Sequence, residues 1–269
     1  MITTIAAAVG ALALGLFFNW LLKRRRHIEP GGDPITNSDL TSPMETLAVL
    51  LLAFVLVVAA ESYSTADQAV RSEAVVVEHL FEFSEFAPEP AAQTLRGATV
   101  CYTRAVLAHE WSQMEHGSGL SPVPSVWSAR FRQVLKELGA ADPLFETLVN
   151  ADERRSEARS ERIAQSAPAI PEILYWFMVF TLAVTVMAFA FNLPARGRKV
   201  EVATLVVLTA MFTLCLILIR DIDRPFVGVI SVSSDALRST EEYITGEYGD
   251  AYGQETLPCD GTGESRAGT

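Results

Sequence analysis

Long apolar runs alternate with polar ones along this chain, and four of them predict membrane-crossing helices. Residues 2–22, ITTIAAAVGALALGLFFNWLL, carry no charge, and about 20 such residues cross the roughly 30 Å of bilayer hydrocarbon as a helix. Residues 44–60 are a second run near the lower length limit, with Glu45 in the first turn; residues 173–191 and 202–219 complete the set without an internal charge. In lipid every backbone amide must be bonded within its own segment, so all four are expected to be helical. The expected fold class is all-α: four transmembrane helices as two hairpins, with an inserted extramembrane helical domain. By residue number the organisation reads 1–60 first hairpin, 61–170 helical domain, 171–220 second hairpin, and 221–269 post-membrane segment and tail.

The polar middle region also has helical periodicity. No Gly or Pro follows Ala60 until Pro88, so the second span is predicted to continue as one long helix past the membrane surface. Ala66, Ala69, Val70, Val77, Leu80 and Phe81 recur at helical spacing and form an apolar stripe that needs a partner, for which residues 91–114 are the candidate. Gly117, Gly119, Pro122 and Pro124 mark a loop. Ser125 can cap a helix to about residue 138, and Asp142-Pro143 opens another that Pro168 and Pro171 end. No stretch alternates long enough to be a strand. Beyond Ser231 the chain turns acidic and Gly-rich, with too few large apolar residues for a core. It is expected to be a flexible tail, with residues 234–248 able to dock as a short helix.

Charge then orients the spans. Lys23, Arg24, Arg25 and Arg26 follow the first run at once, and Arg196, Arg198 and Lys199 fill the turn between the third and fourth. Basic residues in short connectors stay cytoplasmic, because a Lys or Arg at a helix centre costs about 2.5–3.5 kcal/mol on insertion scales. The N-terminus, residues 61–170 and the C-terminus are therefore expected outside the cytoplasm. A cleaved signal peptide is the rival reading of the N-terminus, but such peptides carry their basic residues before the apolar run. The net charge is −11; residues 61–170 hold 16 acidic and 10 basic side chains, and residues 231–269 hold 8 and 2. That balance disfavours nucleic-acid binding, which needs basic faces against phosphate. Of three cysteines, Cys215 lies within the fourth run, in a small apolar role. Cys101 and Cys259 would share the outer compartment, where they could pair if their positions allowed it.

Candidate chemistry is sparse. Arg155, Arg159 and Arg162 share one face of the 142–167 helix, beside a face bearing Glu153, Glu157 and Glu161. They read either as members of ion pairs, with Glu73 or Glu78 of the long helix as partners, or as an anion-attracting face at a channel mouth. His109, Glu110, Glu115 and His116 are metal-ligand types, but their spacing is not that of a site, and they read as ordinary helix residues. Phosphate loop, nucleophile elbow, zinc signature and kinase set are all missing, so the chain is read as no enzyme, with neither cofactor nor metal. Glu45, Glu172 and Glu201 stand at span ends, where they reach water. Trp20, Tyr63, Tyr175 and Trp176 are expected to be interfacial anchors.

Four segments in order, LLAFVLVVAAESYSTADQAVRSEAVVVEHLF from Leu51, YTRAVLAHEWSQM from Tyr102, RIAQSAPAIPEILYWFM from Arg162 and DIDRPFVG from Asp221, resemble the bacterial bestrophin-like family of four-span proteins. The resemblance covers almost all of the chain outside the tail and marks Glu110, Trp111, Asp223, Arg224, Pro225 and Phe226 as family-motif residues with structural roles. It suggests that Arg224 pairs with Glu110. A looser similarity to true bestrophins, pentameric anion channels whose second helix lines a hydrophobic neck, implies a homo-oligomer in the lipid bilayer with small anions as partners. It would place Leu47, Leu51, Phe54, Val58 and Ser62 along a pore, where apolar constrictions gate by dewetting; the alternative is that this stripe packs against the third span. Two features depart from bestrophins. Their acidic calcium-binding cluster is not reproduced after Phe226, and the basic connectors put the helical domain outside, whereas bestrophins keep theirs in the cytoplasm. The functional expectation is an oligomeric, channel-like membrane protein; the alternative is a non-conducting scaffold or sensor whose outer domain binds a partner.

Overall fold

The computed structural model describes residues 2–26, 38–115, 120–192 and 198–266, and among them every regular element is a helix. The chain divides into two compact units, residues 1–61 with 169–223 and residues 62–168 with 224–269. Helix α1 is Ile2–Arg26 and α2 is Ser38–Ser84, 47 residues long, so the uninterrupted helical sequence beyond residue 60 does fold as one helix.

In the first unit α1 and the first part of α2 are joined by α7 (Glu172–Asn192) and α8 (Arg198–Ile222). Three described helical segments are long and apolar enough to cross a membrane: Glu45–Ser84, Glu172–Ala190 and Val200–Ile222. Thr3–Phe18 is a shorter apolar stretch. α1 packs along α7. Gly15 permits the approach, because a Cβ there would lie 2.6 Å from Ala190 Cβ and 3.1 Å from the Met187 backbone; small residues let apolar helices close on each other where no hydrophobic driving force exists. Ala48, Leu52, Val55 and Ala59 of α2 bury against Tyr175, Met178 and Leu182 of α7 and Leu216 and Ile219 of α8. Trp20 and Trp176 are exposed, as anchors should be, but Tyr175 is buried. Its hydroxyl lies 2.8 Å from that of Thr4, and the Arg220 guanidinium sits 4.6 Å from its ring centre, so Tyr175 is a packing residue. Asp223 closes the unit by accepting the Ile170 N–H at 2.8 Å.

In the second unit the later part of α2 meets α3 (Ala91–Ala105), a π-helical turn Val106–Glu110, α4 (Trp111–Glu115), α5 (Val123–Leu138), α6 (Phe145–Ala164) and α9 (Asp235–Tyr252). The stripe read from the sequence, Ala66, Ala69, Val70, Val77, Leu80 and Phe81, is buried, and most of it shares one core with Leu95, Cys101, Tyr102 and Val106 from the predicted partner segment. Trp111 packs edge-on against Phe226, ring centres 5.5 Å apart, which ties two family-motif residues together.

The tail corrects the expectation of flexibility. Leu237, Thr240, Ile244 and Tyr248 fall on one face of α9 and are buried, and Leu257 and Cys259 follow them into the core. Cys259 is bonded to Cys101, with Cα atoms 5.8 Å apart. Trp127 Nε1 donates to the Gly263 carbonyl at 2.8 Å, and the Asp260 carboxylate accepts the N–H groups of Thr262 and Glu264 at 2.8 and 3.0 Å. A segment too polar to build a core of its own completes one begun by α3 and α5, and the covalent bond removes much of its freedom to leave.

Candidate functional site

Two features stand out, one in each unit. In the first unit, α2 carries large apolar side chains that stand exposed beside its packed side. Leu47 is 60% exposed and Phe54 68%, whereas Ala48, Val55 and Ala59 are essentially buried. Leu51, Val58 and Ser62 are half-buried. At 3.6 residues per turn the stripe of Leu47, Leu51, Phe54 and Val58 is centred about a quarter turn from the packed face. The face packed on the third predicted span is therefore Ala48, Leu52, Val55 and Ala59.

In the second unit a buried charge network replaces the expected anion-attracting face. Glu73 of α2 and Glu110 at the end of the π-helical turn are both fully buried and flank Arg162 of α6, itself fully buried. Arg162 donates through Nε to Glu73 and through Nη2 to Glu110 at 2.6 Å. Arg159 donates to the same Glu110 at 2.5 Å and reaches Ser125 Oγ at 3.3 Å. Tyr102 O–H donates to Glu73 at 2.6 Å. Arg155 bonds to Asp152 at 2.6 Å and lies over the rings of Tyr102 and Phe131 at 4.6 and 5.2 Å. Three cations thus meet three carboxylates, which is why the cluster can lie away from water: a buried charge without a partner costs several kcal/mol.

The electrostatics follow from that closure. Burial, then the Glu73 charge, pushes the Tyr102 phenol far above its ordinary range. Burial pulls the Arg162 guanidinium down, but Glu73 and Glu110 outweigh it and hold the group firmly protonated. Arg155 is likewise raised against its burial by Tyr102 and Asp152.

The three arginines therefore form no free cationic face. The amphipathic sense of α6 is the reverse of the usual one: Arg155 and Arg162 line its buried side with Leu148, Ala151 and Ala158, while Glu153, Glu157 and Glu161 are exposed. Of the two partners that the sequence leaves open, Glu73 is the one that pairs with Arg162, in the interior and not at a solvated surface. Arg224 does not pair with Glu110, whose cations are Arg159 and Arg162; Arg224 is exposed. Asp223 is a backbone acceptor, and Pro225 and Phe226 are buried. Asp152 and Tyr102 carry no signal in the sequence that marks them as members. The π-helical turn, where the Trp111 N–H bonds five residues back to Val106 O, also leaves no periodic signal. Among the described residues no group of three or more His, Cys, Asp and Glu is arranged to hold a metal ion. His116 and Arg196 lie outside the described residues, as do the side chains of Glu115, Lys23 to Arg26, Arg198 and Lys199.

Comparison with known proteins adds a family and a fold. A profile for the Bestrophin-like domain matches residues 9–237. Two crystal structures of a bacterial bestrophin homolog from Klebsiella pneumoniae, one of them a point mutant, superpose with TM-scores of 0.68 and 0.69 at 10% identity. Each match covers 91% of this chain and 98–99% of the other. A further crystal structure, described as that of a membrane protein, matches with a TM-score of 0.69 at 10% identity, over 93% of this chain and all of that one. No curated protein matches by sequence. At such low identity the solved structures bear on the fold alone.

Proposed function

The chain belongs to the bestrophin-like family, and from that premise we propose that it is a multi-pass protein of the cytoplasmic membrane, assembled as a homo-oligomer around a channel-like, anion-conducting path. The observation that carries this reading is the apolar stripe of α2 on which Leu47 and Phe54 are more than half exposed, about a quarter turn from the tightly packed face. In an oligomer Leu47, Leu51, Phe54, Val58 and Ser62 would line the path, and their apolar surface would form a constriction that gates by dewetting. α1 would be the fourth span, its uncharged residues 2–22 being about the length that crosses the hydrocarbon.

The helical unit lies outside the cytoplasm in this proposal. The Cys101–Cys259 bond supports that side, because disulfides persist in oxidising compartments. The basic connectors at Lys23–Arg26 and Arg196–Lys199 support it independently. The buried ion network serves to hold α2, the π-helical turn and α6 in one arrangement.

Recording from purified protein in planar bilayers tests the proposal. Current is expected in chloride salts, and Phe54→Ser is expected to increase it by wetting the constriction. Silence across salts and pH would instead favour the non-conducting scaffold. For orientation, Ser156→Cys, on the exposed side of α6, should be labelled by an impermeant maleimide from outside intact cells, and a reporter fused beside Arg25 should stay cytoplasmic.

A further inference from the structure

α2 and α6 border a second feature of the helical unit that the conduction proposal does not use. Between them lies an open groove of about 230 Å³. α2 contributes Val76, His79 and Phe83, and α6 contributes Thr147, Asn150, Ala151 and Arg154. Both sets recur at three, four and seven residues, so each is one stripe of its helix. Phe83 and His79 form an aromatic side, their ring centres 6.2 Å apart, and Val76 and Ala151 add aliphatic surface.

The charge of this lining runs against that of the chain. In a protein of net charge −11, none of the residues lining this groove is acidic, and its full charge is the Arg154 guanidinium. Among the described residues Arg154 enters none of the ion pairs, unlike Arg155 and Arg162 on the same helix. A guanidinium is a planar fork that takes a carboxylate by two parallel hydrogen bonds. Thr147 and Asn150, on the same helix face, supply further polar groups. The volume lies below the roughly 300 Å³ at which pockets for drug-sized molecules begin, so the occupant is small.

We propose that this groove binds a small aromatic carboxylate, its ring against Phe83, His79 and Val76 and its carboxylate on Arg154. The site belongs to the helical unit alone and stands whether or not the protein conducts.

Saturation-transfer NMR on the full-length protein in detergent, with a micelle-only control, tests this with benzoate as the probe and benzamidine as its cationic counterpart of the same shape. Saturable benzoate binding is expected, with benzamidine at least about tenfold weaker, because a lost charge-assisted hydrogen bond is of that order. Arg154→Gln should weaken benzoate by about tenfold on the same grounds. Arg154→Glu, at an exposed helix position, should reverse the preference toward benzamidine. Equal response to the two probes, an unchanged benzoate affinity in Arg154→Gln, or no saturable benzoate binding would each overturn the assignment.

Discussion

Replacing Arg162 by Met would remove the cation shared by two buried carboxylates while keeping most of the side-chain volume. Glu110 would still have Arg159, at 2.5 Å. Glu73 would retain only the Tyr102 hydroxyl, at 2.6 Å, and would become a fully buried charge without a counter-ion. Removing one partner of such a pair costs about 3–5 kcal/mol. For a unit of this size each kcal/mol lowers the midpoint by roughly 2–4 °C, so a fall of about 10 °C is expected. Thermal unfolding of the detergent-solubilised protein, followed by tryptophan fluorescence, reads it. The double variant Glu73→Gln/Arg162→Met removes the orphaned charge and keeps an acceptor for Tyr102. It should recover more than half of the loss, a coupling that independent sites do not show. Arg154→Gln, about two turns away on the exposed face, should stay within about 0.5 kcal/mol of the parent. A cost under about 1 kcal/mol for Arg162→Met, or a double variant no better than the single one, would refute the account of the network.

Other consequences are equally direct. Cys101→Ser opens a covalent loop with a sequence separation of 158 residues, for which chain entropy sets a ceiling of about 5 kcal/mol; the variant, or reductant added to the parent, should lower the unfolding temperature and change mobility on a non-reducing gel. Gly263 has φ +79°, and a Cβ there would come within 2.6 Å of the Cys101 carbonyl and against the Ala105 amide, so Gly263→Ala should undock the final turn and expose residues 257–266 to protease. Because the Tyr102 phenol is raised in the folded state, its contribution is complete below the unfolded pKa of about 10 and declines as pH rises beyond it, when the unfolded chain ionises first. Stability measured from about pH 9 to 12 should therefore fall less steeply in Tyr102→Phe than in the parent.

The buried charge cluster shows where reading along the chain stops. Arg155, Arg159 and Arg162 are visible as one helix face, and Glu73 is visible as a partner, because both follow from the 3.6-residue period. Their burial is not visible. Periodicity reports that side chains share a face but not which face points inward when the candidates are all charged, and for α6 the charged stripe with its small alanines is the one that packs. Glu110, which pairs with Arg162, ends a π-helical turn that adds a residue to the register of the α3 segment, a shift without a compositional signature. The tail misleads for a related reason. Its few apolar residues are too sparse to nucleate structure alone, but four positions on one face of α9 suffice when α3 supplies the rest of the core.

What the sequence determined by itself was everything governed by the solvent and by local geometry: long apolar runs that require helices in lipid, the continuation of α2 through residues with no helix breaker, and the family to which the ordered motifs belong. Tertiary structure decided what depends on pairs of residues far apart in the chain. It brought Cys101 to Cys259 and Glu73 to Arg162, and it left Leu47 and Phe54 of α2 exposed beside a packed face. Such meetings are set by the mutual packing of whole helices, since a charge or a thiol finds its partner only after the surrounding apolar surfaces have fixed where each helix lies.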